Sequence, residues 1–390
     1  METKIWANSG DSHFLEPADL FAKTLPAALA SRMPKSVKSD DGTKEVVYID
    51  GEVIERRLPK PLQQGEYAGQ TIETLSNRPP GSGNTRERLK DLDQEGIWGE
   101  IVFPSLGMWS SHIKDPNLVR EGCRAINDWA LAEIQNIAPD RLIATSILPL
   151  LRIEDAVEEA YRAKSQGFYA VYLPTVPPQG QPAYNDDYWE PLWSALEETG
   201  LILTIHIGTD GSGTVPFRGP GGAVLNYVET TYGGQRATTQ LIAGGALDRH
   251  PTLKVLISEG GAAWAPFLGD RMNEGYRQHG MFVRPKLSLL PKEYIYRQVY
   301  VSFQHDQTAV DAVSSMGYRN VMFGSDYPHM EGTFGHTQKT LHELLADANP
   351  DVRHRITVGA FLDLFPHIGE PPGNADQRTL VPVGGGPIAG

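Results

Sequence analysis

A chain of 390 residues with net charge -13 and a single cysteine, Cys123, is long enough to bury one large α/β core. Its acidic balance argues against nucleic acid or an anionic membrane as the main partner, and the lone cysteine excludes an internal disulfide and a multi-cysteine zinc site. Hydrophobic residues at 40% suit a soluble protein, no apolar run nears the roughly 20 residues that span a bilayer, and METKIWANSGDSHF carries no secretory pattern, so a cytoplasmic protein is expected.

Eight short β-rich runs follow one another along the chain: 4–11, 99–104, 141–148, 169–174, 201–206, 253–258, 298–303 and 320–326. Most are continuous apolar stretches, the pattern of strands covered on both faces. Helical patterns follow seven of them, at 116–138, 153–167, 186–200, 238–251, 261–278, 306–317 and 336–347, with Gly167 and Gly200 as stop signals. This alternation predicts a (β/α)8 TIM barrel, one α/β domain over 1–368. An insertion at about 17–98 separates the first and second strands and holds a hairpin, VVYIDGEVI, turning at Asp50-Gly51. The Gly/Pro-rich residues 369–390 read as a flexible tail. Cys123 falls in a helical pattern and reads as a small buried hydrophobe.

In a parallel barrel, the active site gathers at the C-terminal strand ends. Here those ends carry Asp11 and His13, then His206, Glu259, the run Gln304-His305-Asp306, and Asp326. Nitrogen and carboxylate donors without thiolate suit Zn²⁺, Mn²⁺ or Fe²⁺. Each residue also has a plainer reading: a strand-end histidine is commonly hydrogen-bonded structure, and Asp326 before Tyr327-Pro328 could serve a turn. The joint placement at one rim favours a metal site. Further candidates are His329 beside Asp326, Arg271 as a carboxylate partner or a helix-surface ion pair, and Phe103 and His305 as pocket lining. Arg218 and Arg236 are other possible carboxylate contacts, and Trp6, Phe14, Trp109, Phe217, Trp264 and Tyr327 could add to an apolar pocket or pack the core. The glycine-rich segment 206–224 lacks the order of a phosphate loop and reads as an active-site loop.

GDSHFLEP, YWEPLW…TIHIG, LISEGGAAWAP and FGSDYPH, with RLKDLDQEGIWGEIVFPS and INDWALAEIQNIAPDRLIATSILPL, resemble the amidohydrolase superfamily from about residue 5 to 365. The nearest branch is the group that contains aminocarboxymuconate semialdehyde decarboxylase and the resorcylate and carboxyvanillate decarboxylases. The resemblance implies one divalent ion, with zinc first in expectation, on His13, His206 and Asp326. Asp11 stands where other members have His or Glu, and Glu259 where many have His. It further implies Asp326, Glu259 and His329 as catalytic groups, a small-molecule substrate and a homodimer. Hydrolysis of a small aromatic or cyclic molecule by metal-activated water is the first expectation. The alternatives are non-oxidative decarboxylation of an aromatic or unsaturated acid and, less favoured, a ligand-binding barrel without turnover.

Overall fold

The computed structural model describes residues 3–40, 43–57, 78–105, 112–209, 217 and 219–372. Strands β1 (Ala7–Ser9) and β2 (His13–Phe14) come first. An antiparallel set follows: β3 (Lys35–Lys38), β4 (Lys44–Ile49) and β5 (Glu52–Arg57). Then come β6 (Ile97–Pro104), β7 (Leu142–Ile147), β8 (Ala170–Pro174), β9 (Ile202–His206), β10 (Val255–Ser258), β11 (Val299–Phe303) and β12 (Val321–Phe323). β1 and β6 through β12 lie side by side in chain order, all parallel, and β2 continues the first strand along β6. Backbone bonds close the ring between its first and last members. Gly10 N–H reaches Phe323 O at 2.8 Å, Asp326 N–H reaches Asp11 O at 3.0 Å, and His13 N–H reaches Tyr327 O at 2.6 Å. The result is a nearly closed (β/α)8 barrel.

Every residue of β7 through β12 is buried, because one face meets the barrel interior and the other a covering helix. That double burial is why these strands read as unbroken apolar runs. Helix Pro116–Glu133 starts on Asp115, whose carboxylate accepts from Asn117 N–H and Leu118 N–H, with proline in the first turn. Helices Ile153–Gln166 and Glu190–Thr199 end on Gly167 and Gly200, both left-handed. The hairpin is present: Ile49 pairs with Glu52, and Asp50 and Gly51 both have positive φ (46° and 81°), as a two-residue primed turn requires.

Two elements differ from expectation. The helix that leads into β6, Thr85–Glu95, lies within the stretch read as an irregular insertion; Asn84 caps it by accepting from Arg86 N–H and Glu87 N–H. The helix after β9 runs Gly222–Ala243, starting at Gly222 and not at 238. Its first half exposes Val224, Leu225, Tyr227, Val228 and Tyr232, so no polar outer face marks it as amphipathic. Its paired glycines look like breakers, but Gly233 packs on Thr175 and Gly234 on Ile257 with no room for a Cβ. The glycines therefore permit close packing inside a helix. Parts of the insertion (41–42, 58–77) and of the tail (373–390) lie outside the described residues. No described helix is long and apolar enough to cross a membrane.

Candidate active site

The strand ends meet at one rim. His206 is the last residue of β9, Glu259 directly follows β10, and Asp326 lies just beyond β12. The first strand is interrupted: it stops at Ser9, passes through Gly10, Asp11 and Ser12, and resumes at His13, which registers with Phe103 of β6. His13 Nε2 lies 3.4 Å from Asp326 Oδ1 and 3.6 Å from Asp11 Oδ1. His206 Nε2 lies 3.3 Å from Asp11 Oδ1 and 3.8 Å from Glu259 Oε2. His329 Nδ1 approaches Asp326 Oδ1 to 2.8 Å, and its ring stacks on His13 at 4.0 Å. Three overlapping groups, Asp11/His13/His206, His13/Asp326/His329 and Asp11/Glu259/Asp326, each keep their donor atoms within 4.8 Å of one another.

Backbone geometry aims two of these side chains. Glu259 and Asp326 both sit in the left-handed region (φ 61° and 51°), which costs a non-glycine residue on the order of 1–3 kcal/mol. Both are held there. Glu259 N–H donates to Ser302 Oγ at 2.8 Å; Asp326 N–H donates to Asp11 O, and its carbonyl accepts from His329 N–H at 2.8 Å. Serines tie the neighbouring strands: Ser325 N–H donates to Ser9 Oγ at 2.8 Å, and Ser258 Oγ donates to Gly10 O at 2.7 Å. His206 is oriented by its Nδ1, 2.7 Å from Ile207 O, which turns Nε2 towards Asp11.

The electrostatics call for a cation. Burial, then the charge of Asp11, holds the Asp326 carboxyl well above the usual carboxylate range. Burial, then Asp326, does the same to Glu259. Burial opposes charge on His206, but Asp11 and Glu259 outweigh it and push this imidazole up to about 9. His13 is driven well below the usual histidine value by burial and by the neighbouring His329 and His206. Asp11 Oδ2, His13 Nε2 and Asp326 Oδ2 are buried without a hydrogen-bond partner. Unpartnered buried acceptors are costly in a finished core. Here they converge from separate strands, and a divalent cation among Asp11, His13, His206 and Asp326 would satisfy them together.

Of the other candidates, Phe103 is buried beneath the imidazoles, with ring centroids 4.8 Å from His206 and 5.9 Å from His13. Arg271 is not brought to this cluster by any described contact. Its side chain is 62% exposed and Nη1 pairs with Glu274 Oε2 at 2.5 Å, so the structure shows the helix-surface ion pair. His305 is exposed, with Nε2 3.1 Å from Glu331 O; the adjacent Gln304 is the buried member of that run. Asp306 holds the N-cap position of helix Gln307–Ser314 but makes no side-chain cap bond. Trp109 and Arg218 lie outside the described residues, as do most of 210–218. Sequence reasoning missed Arg78, a cation close enough to disfavour charge on both His13 and His329. It also missed Arg88, buried beside His13. Arg88 could have been found: Thr85, Arg88, Leu92 and Glu95 recur at helical spacing on one buried face, where a guanidinium is out of place.

A parallel barrel with a carboxylate–imidazole cluster at its C-terminal rim defines a class of metal-dependent enzymes. Residues 100–366 match the amidohydrolase family model, and the chain belongs to that family. It is 28% identical over 257 residues to 2-amino-3-carboxymuconate-6-semialdehyde decarboxylase of Dictyostelium discoideum, a match over 62% of this chain and 66% of the relative. Among solved structures, an amidohydrolase from Mycobacterium avium subsp. paratuberculosis superposes with TM-score 0.75 at 21% identity, covering 94% of this chain and all of the other. A dihydroxybenzoic acid decarboxylase from Polaromonas, solved with bound manganese, gives TM-score 0.60 at 18% identity, covering 94% and 98%.

Proposed function

We propose that this enzyme is a metal-dependent, non-oxidative decarboxylase of a small aromatic or unsaturated carboxylic acid. Decarboxylation, the alternative at the sequence level, thereby takes precedence over hydrolysis. The observation that carries it is Asp326. Its carboxyl is buried among the donor side chains, 3.4 Å from His13 Nε2, and His329 Nδ1 stands 2.8 Å from it. Decarboxylase relatives on the curated and structural sides support the same reading.

In this reading Asp11, His13, His206 and Asp326 hold one divalent ion, which when bound supplies charge neutralisation for an anionic substrate. The carboxylate-rich set and the manganese in a similar structure favour Mn²⁺ over Zn²⁺. Arg78 attracts the substrate carboxylate at the mouth, and Phe103 provides an apolar floor for a ring. As the C–C bond breaks, its electron pair stays on the substrate carbon and carbon dioxide departs. The carbon takes a proton delivered by the Asp326–His329 pair, which regains one from solvent. Glu259, 14% exposed and 3.8 Å from His206, keeps that imidazole oriented and offers a second proton store. A hydrolytic reading retains one specific support: Glu259 is a carboxylate placed beside the ligand set, where it could take a proton from water.

The test is a panel of aromatic and unsaturated acids, with matched amides and lactones, incubated with protein loaded with Mn²⁺ or Zn²⁺. Carbon dioxide released in step with the decarboxylated product is the expected result. Turnover confined to amides or lactones would establish hydrolysis instead. The same reading includes a homodimer, supported by the exposed apolar face of helix Gly222–Ala243; light scattering at twice the chain mass is expected.

A further inference from the structure

Arg88 is completely buried, although a guanidinium is a cationic group that ordinarily stays in water. Its Nε is hydrogen-bonded to Glu100 of β6, which is equally buried, and its Nη1 donates to the carbonyl of His13 at 2.8 Å. The guanidinium lies over the Tyr327 ring at 4.6 Å and near Phe14 at 5.6 Å. Tyr327 directly follows Asp326, and its hydroxyl donates to Asp91 Oδ2 at 2.6 Å, from the same helix as Arg88. Gly81 packs against Asp91, Tyr327 and Arg88 so closely that a Cβ would have no room. One helix thus grips both sides of the barrel seam, where His13 of the first strand meets Asp326 after the last.

A buried ion pair is a poor source of stability, because desolvating two charges offsets their attraction; apolar residues of similar volume commonly serve as well. What an apolar side chain cannot do is bond the His13 carbonyl while stacking on Tyr327. The planar, forked guanidinium does both, and lysine lacks that geometry. We propose that Arg88 is a positioning residue for the metal centre: it fixes the His13–Asp326 separation of 3.4 Å across the seam. This rests on the metal reading given above, and concerns the support of the ligands, not the ligands themselves.

The experiment compares Mn²⁺ binding by the parent, by Arg88→Met combined with Glu100→Leu, and by Arg88→Lys, each checked for folding by circular dichroism. The double variant removes both charges together, so no unpaired carboxylate remains. The readouts are the dissociation constant by calorimetric titration and the electron paramagnetic resonance spectrum at saturation, which a purely structural ion pair would not alter. Residues that orient metal ligands change affinity roughly 10- to 100-fold when lost, and the double variant is expected in that range with an altered spectrum. Arg88→Lys is expected to fall between it and the parent, and it decides the matter should the double variant not fold. Parent-like affinity and spectrum in whichever variant folds would overturn the assignment. Absence of Mn²⁺ and Zn²⁺ binding by the parent would remove the metal reading itself and Arg88's role with it.

Discussion

Glu259 and Asp326 share an unusual backbone conformation, and each is directed into the cluster by it. Their roles separate by mutation. On the proposed mechanism Asp326→Asn removes both an anionic ligand and a proton carrier; kcat of the Mn²⁺-loaded enzyme should then fall about 10²- to 10⁴-fold, the range for losing a general acid, with weaker metal retention. Glu259→Gln keeps the size and loses the charge, so it should lower turnover while metal content, read by elemental analysis, stays near the parent's. Loss of metal in Glu259→Gln would instead make Glu259 a ligand. Strand position was readable for both residues from the apolar runs that precede them. Their left-handed turns were not, because nothing local to SEGG or GSDYP distinguishes a strained residue from an ordinary turn; bonds from Ser302 and Asp11, distant in sequence, impose it.

Helix Thr85–Glu95 is the element whose importance the chain conceals best. It lies at the end of a long insertion, and its buried face mixes Arg88 and Glu95 with Leu92, which blurs the apolar stripe. Glu95 accepts from Gly335 N–H at 3.1 Å and Thr337 N–H at 3.2 Å, so it closes the start of helix Thr337–Leu344 from across the barrel seam. Glu95→Ala should therefore destabilise the fold by about 1–3 kcal/mol, the cost of stranding the buried Thr337 N–H, as read by urea unfolding. Asn84→Ala, which removes only a solvent-facing cap, should cost about 1 kcal/mol. Equal effects would mean that the long-range contact adds nothing beyond local helix capping. Helix Gly222–Ala243 was hidden for the opposite reason: its exposed apolar residues and paired glycines belong to packing that only neighbouring elements reveal.

At the scale of the whole molecule, the proposed metal site couples ion binding to the stability of the fold. In metal-free protein, His206 is raised from 6.5 to about 9, so between those values the folded state holds a proton that the unfolded chain has released. Stability from this group is complete below pH 6.5 and is lost as the pH rises through 9. The raised carboxyls Asp326 and Glu259 act in the same direction, favouring the folded state when protonated. A cation needs these groups deprotonated, so the rise in melting temperature on adding Mn²⁺ should grow from pH 6.5 to 9, checked by scanning fluorimetry. Saturation at 100 times the dissociation constant should contribute about 2.7 kcal/mol, and chelation should abolish it together with turnover. The sequence by itself determined the barrel, because strands buried on both faces must be continuously apolar and their alternation with helices allows few other arrangements. It also determined which strand ends carry donor side chains, since those residues interrupt apolar runs. Only the tertiary structure decided that Asp11, His13, His206 and Asp326 converge while Arg271 stays outside on its helix, and that Arg88 spans the seam. These depend on ring closure between the first and last strands, a contact between segments more than 300 residues apart whose distances no local pattern encodes.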